Sequence, residues 1–98
     1  MPKKAYWITT YRSISDPAKL KAYAEMAPKA TIPFGVRYLC KGVPQMTYEA
    51  GQKERIVVSE FPSLEKAIAA HESPGYQAAL KALGDGAVRD IRIIEAEE

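Results

Sequence analysis

The stretch Arg55-Ile56-Val57-Val58-Ser59-Glu60-Phe61-Pro62-Ser63 decides the fold. Its β-branched and aromatic content predicts a strand over Arg55–Phe61. Because successive strand side chains point to opposite faces, Ile56 and Val58 share one face while Val57 and Phe61 share the other. Pro62-Ser63 then ends the strand and opens a helix, in which Leu64, Ala67, Ile68 and His71 recur at helical spacing. A strand apolar on both faces, leading at once into an amphipathic helix, needs helices on one side and a second cover on the other.

Upstream, Ala50-Gly51 is a turn, Gln45–Glu49 extends a hairpin arm, and Gly42-Val43-Pro44 breaks a preceding strand over Val36–Lys41 that starts after Gly35. At the front of the chain, Lys4–Arg12 reads as a strand with Tyr6 and Ile8 on one face and Ala5, Trp7, Thr9 and Tyr11 on the other. Asp16-Pro17 starts a helix, with the carboxylate able to cap free amides and proline placed where a missing N–H costs nothing. Leu20, Tyr23, Ala24 and Ala27 form its apolar stripe, and Pro28 and Pro33 mark its weakening end or, at Pro28, a kink. Downstream, Ser73-Pro74 stops the second helix and starts a further one bearing Tyr76, Ala79, Leu80 and Leu83. Gly84-Asp85-Gly86 ends it, and Val88–Glu95 is the last strand, with Ile91 and Ile93 opposite Asp90, Arg92 and Ile94. The order is β-α-β-β-α-β with a broken second helix: an α+β, ferredoxin-like sandwich with a four-stranded antiparallel sheet.

At 98 residues the chain suits one domain, over 1–98. Hydrophobic residues at 47% and charged residues at 27% permit a core, and a net charge of +2 spread along the chain gives no one-sign field to hold a polyanion, so nucleic acid is not an expected partner. The third strand lacks the basic and stacking residues of an RNA-binding sheet. One cysteine, Cys40, excludes an internal disulfide and a Cys-x-x-Cys metal site and fits a reducing compartment. Ala5–Ile8 is too short for a signal core, and no apolar run approaches the roughly 20 residues that cross a bilayer. A cytoplasmic location without membrane association is expected. No phosphate loop, zinc spacing or nucleophile elbow occurs, and no cofactor or metal is expected.

Two helical segments cover one face of such a sheet. Whichever register holds, the other face carries Trp7 and Tyr11 or Tyr6 and Ile8, together with one alternate set from Arg55–Phe61. Large side chains of this kind each contribute roughly 1.5–3 kcal/mol on burial, so self-association through the sheet face is expected.

The segments Lys4-Ala5-Tyr6-Trp7-Ile8, Asp16-Pro17, Gly35-Val36-Arg37-Tyr38-Leu39, Glu49, Arg55–Ser63 and Ser73-Pro74-Gly75-Tyr76-Gln77 resemble the domain of unknown function 1330 family. The most specific piece is Glu60-Phe61-Pro62-Ser63 followed by Ser73-Pro74. The resemblance implies a dimeric α/β barrel, in which two ferredoxin-like subunits join sheet to sheet and small ligands enter between sheet and helices. That superfamily includes cofactor-free monooxygenases, lactone isomerases and haem enzymes, so kinship alone names no reaction.

Among candidate site residues, His71 is the only histidine and the only side chain whose ordinary pKa lies near neutrality. It is a candidate acid or base, and equally a packed helix-face residue. Tyr76, beside Pro74, is the second catalytic candidate. Arg37, Arg55, Glu60, Asp90 and Arg92 lie on strands, where charge must meet solvent, a partner or an opposite charge. Of these, Arg37, Arg55, Glu60 and Asp90 with Tyr38 are the candidate substrate-binding set, because a guanidinium matches a carboxylate with two parallel hydrogen bonds; cross-strand ion pairs are the alternative. Tyr11 and Tyr48 are further pocket candidates. Two readings result: a small-molecule binder or cofactor-free enzyme acting on a polar or carboxylated metabolite, its pocket between the sheet and the Ser63–Leu83 helices, or a non-catalytic dimerisation or regulatory module.

Overall fold

The computed structural model describes residues 2–98. The chain runs β1 (Ala5–Ile14), α1 (Pro17–Thr31), a short 3₁₀ turn (Ile32–Phe34), β2 (Arg37–Gly42), β3 (Ile56–Phe61), α2 (Leu64–Glu72), α3 (Pro74–Leu83) and β4 (Ala87–Glu95). The strands form one sheet in the order β2-β3-β1-β4, every neighbouring pair antiparallel. This is the expected ferredoxin-like arrangement.

Each helix starts as its sequence dictates. Asp16 accepts from the amides of Ala18 (3.1 Å) and Lys19 (3.2 Å) ahead of α1, and Ser63 accepts from Lys66 at α2. Ser73 serves two helices: its hydroxyl donates to the Ala70 carbonyl at 2.7 Å and accepts from the Tyr76 amide at 3.3 Å, closing α2 and capping α3.

At three boundaries the structure either departs from the sequence expectation or, at Pro28, decides what it left open. α1 continues through Pro28 to Thr31; a proline removes one helical hydrogen bond, and close to a helix end the remaining bonds and side-chain packing outweigh that loss. The Thr31 hydroxyl donates to the Ala27 carbonyl at 3.0 Å in the same turn. Second, Gln45–Glu49 pairs with no strand: the segment between β2 and β3 is irregular, with a tight turn from Tyr48 to Gly51 and Glu49 at φ 53°. Third, β1 extends to Ile14 because a bulge between Tyr11 and Ser13 lets it keep pairing with β4 as far as Ala87.

The register settles the two faces. Ala5, Trp7, Thr9 and Tyr11 are buried toward the helices. Their partners put Phe61, Ser59 and Val57 of β3 and Ile93, Ile91 and Arg89 of β4 on that same side. Trp7 is the hub of the core, stacked on Phe61 with ring centroids 5.8 Å apart and met edge-on by Tyr76 at 5.0 Å. Alanines at 27, 67, 70 and 79 bring the helices close around it.

The opposite face carries Tyr6, Ile8, Thr10, Ile56, Val58 and Ile94, with Ile8 directly across from Val58 and Tyr6 across from Ile94. No element among the described residues covers it: Ile94 is 61% exposed and the rest of the row is half-buried. At its margins Lys4 pairs with Glu60 at 3.6 Å, and Asp90 accepts from Arg92 at 3.1 and 3.2 Å and from Arg12 at 3.5 Å.

Candidate functional site

A cavity lies between the sheet and α1, whereas the sequence placed it under the Ser63–Leu83 helices. The difference has a packing cause. The alanine faces of α2 and α3 let Trp7, Phe61 and Tyr76 fill the space beneath them, while α1 stands over the longer side chains of Tyr11 and Arg89 and leaves a gap. Tyr76 is the one α3 residue that reaches its wall. The space open to the centre of a water molecule is about 50 Å³, and at roughly 10–15 Å³ per water on that measure it takes about three to five waters or a small ligand.

Three cations line this space, Lys41 from β2, Arg55 immediately before β3 and Arg89 from β4, and no carboxylate side chain among the described residues does. Register explains two of them. Tyr11 of β1 pairs with Arg89 on one side and donates its amide to the Arg55 carbonyl on the other, so both arginines flank Tyr11 on the helix-facing side. Arg89 sits over the Tyr23 ring, 4.5 Å from its centroid, and 5.6 Å from that of Tyr11. Even so, Arg55 Nε and Arg89 Nη1 are buried with no hydrogen-bond partner among the described residues.

Hydroxyl groups complete the lining. Tyr23 Oη and Tyr76 Oη are hydrogen-bonded at 2.6 Å. Tyr38 Oη lies 3.1 Å from Thr31 Oγ1; since Thr31 donates to the Ala27 carbonyl, the Tyr38 phenol is the donor in that pair. Burial pushes the Tyr76 phenol well above the usual tyrosine range, and the neighbouring Tyr23 adds to the shift. Burial also raises Tyr38. Both are therefore neutral donors at pH 7. For Arg89, burial opposes the charged form, but the tyrosine oxygens of Tyr23, Tyr76 and Tyr11 outweigh it, and the guanidinium stays charged.

The residues singled out from sequence separate by face. Arg55, Tyr38 and Tyr76, with Tyr11, come together at the cavity. Arg37 and Glu60 are directly paired on the uncovered face, as β2 and β3 neighbours, and Asp90 and Arg92 lie on that face too, held in the ion pairs at its margin. Arg92 holds the Asp90 carboxyl below its ordinary range, with Arg12 adding to the effect and partial burial opposing it. His71 lies behind the cavity wall, its ring 5.4 Å from Trp7 and 5.0 Å from Tyr76, with Nδ1 3.1 Å from Glu72 Oε2. Tyr48 is 78% exposed on the β2–β3 segment. Sequence reasoning passes over Arg89, Lys41 and Tyr23 as site residues. A signal for Arg89 exists: continuing the alternation of Ile93 and Ile91 back by two positions puts Arg89 on the inner face.

The chain matches the family described as Domain of unknown function (DUF1330) over residues 4–97. It belongs to that family. No curated protein matches it. Among solved structures, a protein of unknown function from Rhodopseudomonas palustris superposes with a TM-score of 0.74 at 15% identity, covering 100% of this chain and 84% of that one. A dimeric ferredoxin-like protein of unknown function from Thermobifida fusca gives 0.66 at 18% identity, covering 98% and 93%. SnoaB, a cofactor-independent oxygenase from Streptomyces nogalater, gives 0.65 at 10% identity, covering 98% and 95%. At such identities the likeness establishes the shared fold, which hosts several functions. No helix among the described residues is long and apolar enough to cross a membrane, and no cluster of three or more His, Cys, Asp or Glu side chains among them is placed to hold a metal ion.

Proposed function

We propose that this protein binds a small carboxylate in the cavity between α1 and the sheet, with Arg55 and Arg89 taking the carboxylate oxygens. The observation that carries this reading is a pair of buried guanidinium nitrogens without partners among the described residues, in a lining that holds three cations and no acid. A buried unpaired donor on a charged group costs free energy, and an anionic ligand that brings acceptors removes that cost. The volume favours an acid of only a few heavy atoms.

No histidine or carboxylate among the described residues lines the cavity, and the buried Tyr76 phenol holds its proton firmly. The site supplies donors that stabilise negative charge, without a side chain suited to removing a proton at neutral pH. An oxygenase activity of the kind named for SnoaB would need its base from elsewhere. The alternative of a module that only dimerises is favoured by one observation, the uncovered apolar sheet face. That face and the cavity lie on opposite sides of the sheet, so a sheet-to-sheet homodimer and a ligand site coexist in this proposal.

The test is calorimetric titration with propionate and with propionamide, its neutral counterpart. Propionate binds and propionamide does not. Arg55→Met and Arg89→Met each weaken propionate binding by about tenfold or more, the size of a lost charge-assisted hydrogen bond. Arg37→Ala, on the other face, leaves it unchanged. Equal binding of acid and amide, or indifference to both methionine variants, rules the reading out.

A further inference from the structure

We infer that the cavity is selective for 2-oxo acids, with the Tyr23–Tyr76 hydroxyl pair recognising the oxo oxygen of a ligand whose carboxylate is held by Arg55 and Arg89. The inference rests on the carboxylate reading above and adds the ligand's second functional group.

Hydroxyl hydrogens outnumber their acceptors at this wall. Each phenol carries one hydroxyl hydrogen, and the 2.6 Å contact between Tyr23 and Tyr76 consumes one of the two. Whichever residue donates within the pair, the other hydrogen is left over, and Arg89, which only donates, gives it no acceptor. Tyr76 is 1% exposed, so solvent does not satisfy the leftover hydrogen if it belongs to Tyr76; if it belongs to Tyr23, it lies where that half-buried residue lines the cavity. Buried donors without acceptors are rare in native proteins. A second lies beside it, because Arg89 stacks on the same Tyr23 ring at 4.5 Å and its Nη1 is unpaired, and Arg55, whose Nε is unpaired too, lines the same cavity.

The free groups are thus two cationic nitrogens and one neutral phenol, which call for three acceptor atoms. A carboxylate supplies two oxygens. An oxo group on the adjacent carbon supplies a third within one bond's reach, and it accepts without carrying a hydrogen of its own. A 2-hydroxy acid would bring an additional donor to a lining already rich in them, and a plain carboxylate would leave the phenol unmatched. A three-carbon 2-oxo acid has six heavy atoms, close to what about 50 Å³ on this measure holds.

The deciding experiment is a calorimetric comparison of pyruvate, lactate and propionate, matched in carbon number and charge. The wild-type protein is expected to bind pyruvate about tenfold or more tightly than propionate, the effect of satisfying one otherwise unpaired buried donor, with lactate below pyruvate. The double variant Tyr23→Phe/Tyr76→Phe, checked for folding by circular dichroism, removes both hydroxyls and is expected to erase the preference, whereas either single variant still carries one free hydroxyl hydrogen and keeps part of it. Equal affinity for the three acids, or lactate binding as tightly as pyruvate, overturns this inference and leaves the carboxylate reading standing. A preference that survives in the double phenylalanine variant overturns the role of the tyrosine pair. Failure of all three acids to bind removes the carboxylate reading and this inference together.

Discussion

Arg89 makes the opposition between stability and binding explicit. Its guanidinium gains from two tyrosine faces, an attraction of roughly 0.5–1 kcal/mol at exposed sites and about 2 kcal/mol when desolvated. Against this stand a buried nitrogen with no partner, which costs about 1–3 kcal/mol, and the desolvation of the whole charge. The two sides nearly offset in the ligand-free protein, where the tyrosine oxygens keep the guanidinium charged despite its burial. Arg89→Met keeps the packing volume and removes the unpaired donor together with the tyrosine contacts, so its unliganded thermal midpoint should stay within a few degrees of the wild type, while carboxylate binding falls. Differential scanning calorimetry with and without propionate measures both halves. A variant that is strongly destabilised without ligand would show that the protein alone satisfies Arg89, and the guanidinium would then have no unmet need for an anion.

At the scale of elements, the broken second helix is legible because Ser73-Pro74 combines a cap with a fixed backbone angle, and the strands are legible because alternation over Arg55–Phe61 and Ile91–Ile94 is strong. The extended arm expected at Gln45–Glu49 does not form, since a few β-prone residues such as Thr47 and Tyr48 do not make a strand without a partner to pair with. The cavity's position is not legible either. It depends on how closely each helix approaches the sheet, which the alanines of α2 and α3 decide only once they are seen against Trp7. The start of α1 is tied to the turn before β4 by Lys19 Nζ and Asp85 Oδ1 at 2.6 Å. The hydrogen bond between them lowers the Asp85 pKa and raises that of Lys19. Asp85 therefore contributes stability above its ordinary range that is lost as pH falls through its depressed value. Lys19 contributes stability below its ordinary range that is lost as pH rises through its raised value. The tie is intact between about pH 4 and pH 10 and fails first on the acid side in practice. Both groups are exposed, so the effect is small. Comparison of Asp85→Asn with the wild type should show thermal midpoints that differ at pH 7 and converge toward pH 3, with the difference shrinking in high salt. A difference that grows on acidification would contradict this sign.

At the scale of the molecule, the sheet faces two environments that a single chain satisfies on one side only. The uncovered row of Tyr6, Ile8, Ile56, Val58 and Ile94 has a margin of charges already occupied with one another, Lys4 with Glu60 and Arg12 and Arg92 with Asp90. A second copy turned about a two-fold axis would set apolar centre against apolar centre without stranding an unpaired carboxylate, which is what an isologous interface requires. Each large side chain newly buried adds roughly 1.5–3 kcal/mol, and several on each side amount to a substantial fraction of the 5–15 kcal/mol that typically separates folded from unfolded states. Two consequences are measurable. The thermal midpoint should rise with protein concentration, because a folded dimer is favoured by mass action over unfolded monomers. Ile8→Glu places a charge opposite Val58 at the centre of the row and should shift the species seen by sedimentation velocity at micromolar concentration from dimer to monomer, with a lower and concentration-independent midpoint. Because Ile8 points away from Arg55 and Arg89, the folded fraction of that variant should still bind propionate. A wild-type protein that sediments as a well-folded monomer, with a midpoint independent of concentration, would mean that the sheet tolerates its second face in water, and the dimer would then have no physical cause.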